Sequence, residues 1–176
     1  MRVMRRPLGL TLVLVLGAFL AACETQLAPP YDETLVEELT AADEKTLVLF
    51  SAVSDGSEAS AFPQFAPRYE ELIGKFGALG HRAEARPVPP LAQKLADQLA
   101  KYKVLREVCG GDQGDPGSCV NSSPSAINTI VENLSKMRQT HKATGLQEDA
   151  VALFENAYKI SIQQALTVET ALKRSQ

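Results

Sequence analysis

Apolar and small side chains recur in this chain at alternating steps of three and four over five separate stretches, and that period leaves little choice of fold. The clearest run is Phe62, Phe65, Tyr69, Leu72, Phe76, Leu79 and Ala83. Such steps stack side chains on one face of a helix with about 3.6 residues per turn, whereas a half-buried strand needs a step of two. The same alternation runs through Leu35, Leu39, Ala42, Thr46, Leu49 and Val53. It continues through Leu91, Leu95, Leu99, Tyr102 and Leu105 or Arg106, then through Ile127, Ile130 or Val131, Leu134 and Met137 toward His141. A last stripe carries Val151, Phe154, Tyr158, Ile162, Ala165 and Leu172, and no stretch sustains a period of two. The expected fold is all-α, an up-and-down bundle of four to five helices with coiled-coil-like packing, one helix crossing or extending the other four.

Punctuation residues place the helix ends. Asp32 reads as an N-cap with Glu33 in the first turn, and the first helix stops near Asp55-Gly56. Pro63 and Pro67 predict that the regular second helix begins near Ala66-Pro67, after a short irregular or helical lead-in. The segment Arg86-Pro87-Val88-Pro89-Pro90 makes a stiff corner, and the third stripe ends at Cys109-Gly110-Gly111. Ser123-Pro124 opens the fourth helix in a cap-then-proline arrangement, Gly145 ends it, and the last helix runs from about Glu148 to Lys173.

Ahead of these helices stands a segment of another kind. Arg2, Arg5 and Arg6 form a basic start, Leu8 to Leu20 is an apolar run, and Ala21-Ala22 are small residues of the sort that precede a cleavage site. Cysteine follows at once, and Leu20-Ala21-Ala22-Cys23 resembles the lipobox of bacterial lipoproteins. The resemblance implies a diacylglycerol thioether on Cys23, cleavage just before it, and acylation of the new amino group. An apolar run of this length is shorter than the roughly 20 residues that span a bilayer, and two or three acyl chains anchor a protein stably where one does not. The chain then divides into a signal peptide at 1–22, a lipidated tether at 23–31 and a single helical domain at 32–176. Sorting in the same family implies an outer-membrane address facing the periplasm, because the residue after Cys23 is Glu24 and not Asp.

Composition narrows the function classes. The leader carries three of the 18 Lys and Arg and none of the 21 Asp and Glu, so its removal takes the formal charge from −3 to −6. Acidic balance argues against nucleic acid and against an electrostatic grip on anionic lipid. The bacterial envelope is a compartment in which disulfides persist, and Cys109 and Cys119 are expected to form one across the glycine-rich segment 110–118. Closing a loop of that size stabilises by roughly 2–3 kcal/mol. Nine intervening residues fit neither a Cys-x-x-Cys redox pair nor a zinc set.

Catalytic patterns are not found. His81 and His141 are the two histidines, without the spacing that puts two metal ligands on one helix face, and no Gly-x-Ser-x-Gly elbow is present. Asp112 and Asp115 do not follow the alternation of a calcium loop. Neither a metal nor a cofactor is therefore expected. Gly74, Gly77 and Gly80 lie at steps of three, which reads either as close helix packing or as an open groove, and Lys75, Arg82 and Arg86 beside them form a basic patch. The reading that follows is a non-catalytic, lipid-anchored bundle that binds or scaffolds another envelope component. The alternatives are a carrier holding a small molecule or lipid between helices, near the glycine edge and Phe62, Phe65, Tyr69 and Phe76, and an enzyme with a dispersed active site. An enclosed apolar cavity would mark the first, and convergent carboxylates or a perturbed histidine in a cleft would mark the second.

Overall fold

Asp32 caps the first helix as its position suggests: its side chain accepts a hydrogen bond from the Leu35 amide at 3.1 Å, satisfying one of the donors that a helix start leaves unpaired. The computed structural model describes residues 27–99, 101–102 and 120–174. The expected leader 1–22, the acylation site Cys23, and Cys109 and Cys119 with their loop lie outside the described residues. Five helices are described: α1 (Glu33–Ala52), α2 (Phe62–Glu84), α3 (Pro90–Leu99), α4 (Ser123–Thr144) and α5 (Glu148–Arg174), with a 3₁₀ turn at Ala59–Ala61 leading into α2.

Cross-helix pairs fix the topology. Between α1 and α2, Asp32 meets Arg82, Glu38 meets Lys75 and Lys45 meets Glu71, so one numbering rises as the other falls. Tyr69 meets His141 at one end of the α2–α4 contact, and Gly80 faces Ile127 and Asn128 at the other. The Asn133 amide donates to the Phe154 carbonyl between α4 and α5, and Tyr158 of α5 donates to Asp43 of α1. Helix α1 packs on α2, α2 on α4 and α4 on α5, and α5 returns to α1, which gives an all-α, up-and-down ring of four helices. The four inward stripes are those of the sequence: Leu35, Leu39, Leu49, Tyr69, Phe76, Leu79, Ile127, Ile130, Leu134, Met137 and Tyr158 are all fully buried in one continuous core.

Three local expectations are corrected. First, α2 begins at Phe62, four residues before the expected start, and carries Pro67 inside it. A proline in the second turn removes one helical hydrogen bond, and the carbonyl so released is that of Pro63, an exposed residue. Phe62 and Phe65, packed against the core, hold the turn in register. Second, Ser122 and not Ser123 occupies the cap position of α4; it makes no side-chain cap, and the buried Ser123 hydroxyl has no partner among the described residues. Third, the stripe Leu91, Leu95, Tyr102 does not face the core. Helix α3 buries Ala92 and Ala96, while Leu91, Leu95 and Tyr102 are 48%, 45% and 65% exposed.

At the end of the bundle where α1 passes to α2 and α4 to α5, the two connections are stitched together. Ser57 and Leu146 exchange backbone hydrogen bonds of 2.9 and 2.7 Å in an antiparallel bridge. Gly56 and Gly145, with φ of 89° and 80°, flank it, and a Cβ on Gly145 would lie 2.7 Å from the Ser57 carbonyl oxygen. Both the positive φ and the close approach require glycine there.

Candidate functional site

Four constructions stand out in this frame, and the charged one lies at the opposite end, where α2 stops. The helix closes on Ala85, and Pro87, which disfavours a helical conformation for the residue before it, turns the chain away with Arg86 at the corner. The Arg86 guanidinium points inward and meets the Glu169 carboxylate in a two-pronged pair, with both N–O distances 2.7 Å. Their side chains are 6% and 0% exposed. Nε donates to the Ala83 carbonyl, Nη1 also to the Pro30 carbonyl at 3.5 Å, and Nη2 also to Asn121 Oδ1 at 3.0 Å. Every N–H of the guanidinium thus has an acceptor, and the group has no donor left for an external anion. What it does is join the N-terminal approach of the chain, the end of α2, the start of α4 and the last turns of α5.

This arrangement changes the basic patch read from Lys75, Arg82 and Arg86. Lys75 pairs with Glu38 at 3.1 Å, Arg82 with Asp32 at 2.6 Å and Arg86 with Glu169, so each positive charge is met by a carboxylate. The Arg82 guanidinium also holds the Asp32 carboxyl below its ordinary value, with help from the Leu35 amide. Glu169 went unnoticed in the sequence although a signal was there. It occupies the slot between Ala165 and Leu172 in the inward stripe of α5, and a lone carboxylate in an apolar slot needs a buried partner.

His141 is the second construction. It is fully buried, with Nδ1 3.2 Å from the Tyr69 hydroxyl and Nε2 3.0 Å from the Ser57 hydroxyl. The Phe62, Phe65 and Tyr69 rings lie 5.6, 5.3 and 5.9 Å from its own. Burial lowers the His141 pKa below its ordinary 6.5, and a backbone contact at Glu58 opposes that in part. Burial likewise pushes the Tyr69 phenol far up. A serine hydroxyl on a histidine that is oriented by a third group has the outline of an activated nucleophile. Here the neighbouring Ser57 and Leu146 amides are spent on each other's carbonyls and are not free to serve as oxyanion donors. The cluster clamps the end of α4 to α2 and to the α1–α2 connection.

The third construction, the glycine edge, does not share one environment. A Cβ on Gly80 would meet Asn128 Oδ1 at 3.0 Å and Ile127 Cγ2 at 3.5 Å, a close approach of α4, whereas Gly74 and Gly77 have nothing within 4 Å. A step of three turns the helix by about 300°, so three such residues are spread over about 120° of the surface. The aromatic set proposed for a carrier site is occupied by side chains: Tyr69 packs on His141, and Phe76 meets Tyr158 edge-on at 6.1 Å. Among the described residues no three His, Cys, Asp or Glu side chains gather as a metal site, and no helix is long and apolar enough to cross a membrane.

The fourth construction is the outward face of α3 described above. No known family, no curated protein and no solved structure matches the chain.

Proposed function

We propose that this chain is a bacterial envelope lipoprotein whose helical bundle, without catalytic activity, binds or scaffolds another envelope component from an acylated Cys23. The observation that carries the reading is Leu20-Ala21-Ala22-Cys23 directly after a basic start and an apolar run. Two features of the bundle support it. The chain approaches the domain at a fixed point, where Arg86 donates to the Pro30 carbonyl and Lys173 lies 5.5 Å from the centre of the Tyr31 ring. The buried polar groups that resemble reactive ones, His141 and Arg86, spend their hydrogen bonds within the protein. An acidic mature chain with an outer-membrane address facing the periplasm suits a protein partner better than nucleic acid.

Metabolic labelling with an alkyne fatty acid in a bacterial host, followed by envelope fractionation and crosslinking in intact envelopes, tests both halves. The full-length chain takes up label and stays with the membrane, while Cys23→Ala loses the label and moves to the soluble fraction. Equal labelling and fractionation of the two forms would end the anchored reading. A crosslinked species that persists in purified envelopes and vanishes when surface residues of the bundle are changed supports the partner role; its absence at every crosslinker length would count against it.

A further inference from the structure

The apolar face of α3 is the largest departure from the inward pattern of the chain, and its place in the fold suggests what covers it. With steps of about 100° per residue, Leu91 and Leu95 fall within about 40° of one another and Leu99 lies on the inner margin of the same sector; Tyr102 follows in the turn after the helix, where its amide donates to the Leu99 carbonyl, and is 65% exposed. On one side of that sector are the buried Ala92 and Ala96. On the other are Lys94 and Gln98, Lys101 follows in the turn after the helix, and among the described residues neither lysine forms an ion pair. Apolar side chains edged by lysines and ended by a tyrosine are the arrangement of a helix lying in a lipid–water interface.

The N-terminal approach of the chain brings this face to the same end of the molecule as the anchor. Pro30 is held to Arg86 and Asp32 to Arg82, both at the end of α2. Arg86 precedes Leu91 by five residues, a span of at most about 18 Å. Cys23 precedes Leu27, which is itself exposed, by four residues, or at most about 14 Å. A lipid on Cys23 therefore holds the bilayer within reach of α3 and away from the Ser57–Leu146 stitch at the other end.

We propose that α3 and the turn after it seat Leu91, Leu95 and Tyr102 in the lipid surface to which Cys23 is anchored, as a second and non-covalent attachment that fixes the orientation of the bundle. The proposal rests on the anchored reading above. Three side chains bind a bilayer too weakly to act alone, and the acidic bundle opposes approach to anionic lipid. Tethering converts the contact into an intramolecular one at high effective concentration, and Lys94 and Lys101 meet the headgroups locally.

The chain contains no tryptophan, so Tyr102→Trp places a single fluorescent probe on this face and Leu153→Trp places one on the exposed side of α5 near the opposite end. Residues 23–176 with a hexahistidine tag ahead of Cys23 are held on phosphatidylethanolamine and phosphatidylglycerol vesicles containing a nickel-chelating lipid. Attachment should shift the Tyr102→Trp emission to the blue, and brominated phospholipid should quench it severalfold more than it quenches Leu153→Trp. Adding Leu91→Glu and Leu95→Glu, at exposed positions outside the core, should bring the quenching down to the Leu153→Trp level. Equal quenching of the two probes overturns the proposal, as does full quenching that survives the two glutamates. Emission already blue in free protein and unchanged by vesicles also overturns it, since the chain itself or a second copy then covers the face. Because the nickel lipid replaces acylation, these results do not depend on Cys23 being modified. Failure of the anchored reading appears separately, as an unlabelled Cys23 in cells.

Discussion

Glu169 and His141 show how much one inward-facing polar residue decides. With Glu169 removed, Arg86 remains buried without a counter-charge, so Glu169→Ala is expected to cost about 3–5 kcal/mol in urea unfolding. Replacing the pair by Arg86→Met with Glu169→Leu should recover a large part of that loss, because apolar isosteres of a buried ion pair are often neutral or stabilising. A double variant no more stable than Glu169→Ala would contradict this account of the junction. His141 acts through pH. Its folded pKa lies below the unfolded 6.5, so the unfolded chain binds more protons between the two values. Stability is then full above pH 6.5 and declines as pH falls toward the folded pKa. Melting temperatures at pH 7.5 and 5.5 should differ more for the wild type than for His141→Gln. Asp32, with its lowered carboxyl, loses its contribution only as pH falls below its ordinary 3.8, outside that window.

At the scale of the element, position on the helix surface matters more than residue type. Gly74 and Gly77 face open space, so Gly74→Ala and Gly77→Ala should each stabilise α2 by about 0.5–1 kcal/mol through helix propensity alone. Gly80→Ala should gain less than either, since its Cβ must displace the Asn128 side chain. Gly145→Ala should destabilise by at least about 1–3 kcal/mol, because its φ of 80° and ψ of −178° belong to a region essentially reserved for glycine. Urea midpoints in that order check the series, and a Gly80→Ala more stable than Gly74→Ala would contradict the close approach of α4. The period of the α3 stripe is helical as the sequence predicts, yet the side turned inward is the one carrying Ala92 and Ala96. Alanines at 92 and 96 count for little in a hydropathy pattern, yet they are the positions this helix buries.

For the whole molecule, the ring of α1, α2, α4 and α5 shares one continuous core, closed at one end by the Ser57–Leu146 bridge and at the other by Arg86–Glu169. The buried alanines of α3 lie outside that core. Unfolding should therefore be graded. Amide exchange of α3 is expected to proceed through a lower-energy local opening, while the centres of α2 and α4 exchange only with global unfolding. Equal protection across all five helices, measured by exchange and mass spectrometry on the free protein, would contradict that division.

The amino-acid sequence by itself determined the helical class, the four inward stripes, the Asp32 cap and the turn at Gly145, because each depends on neighbours within a turn or two of chain. It also carries the Leu20-Ala21-Ala22-Cys23 feature on which the proposed address rests. Tertiary structure alone decided which charges are buried. Lys75, Arg82 and Arg86 are alike in sequence, and only the arrival of α5 and of the N-terminal segment makes Arg86 an internal pair while the other two stay at the surface. It also decided that Gly80 is a contact and Gly74 is not, and that the leucines of α3 face outward. Periodicity fixes a face relative to the axis of its own helix; which neighbour, or which lipid surface, meets that face is set by where the rest of the chain lies.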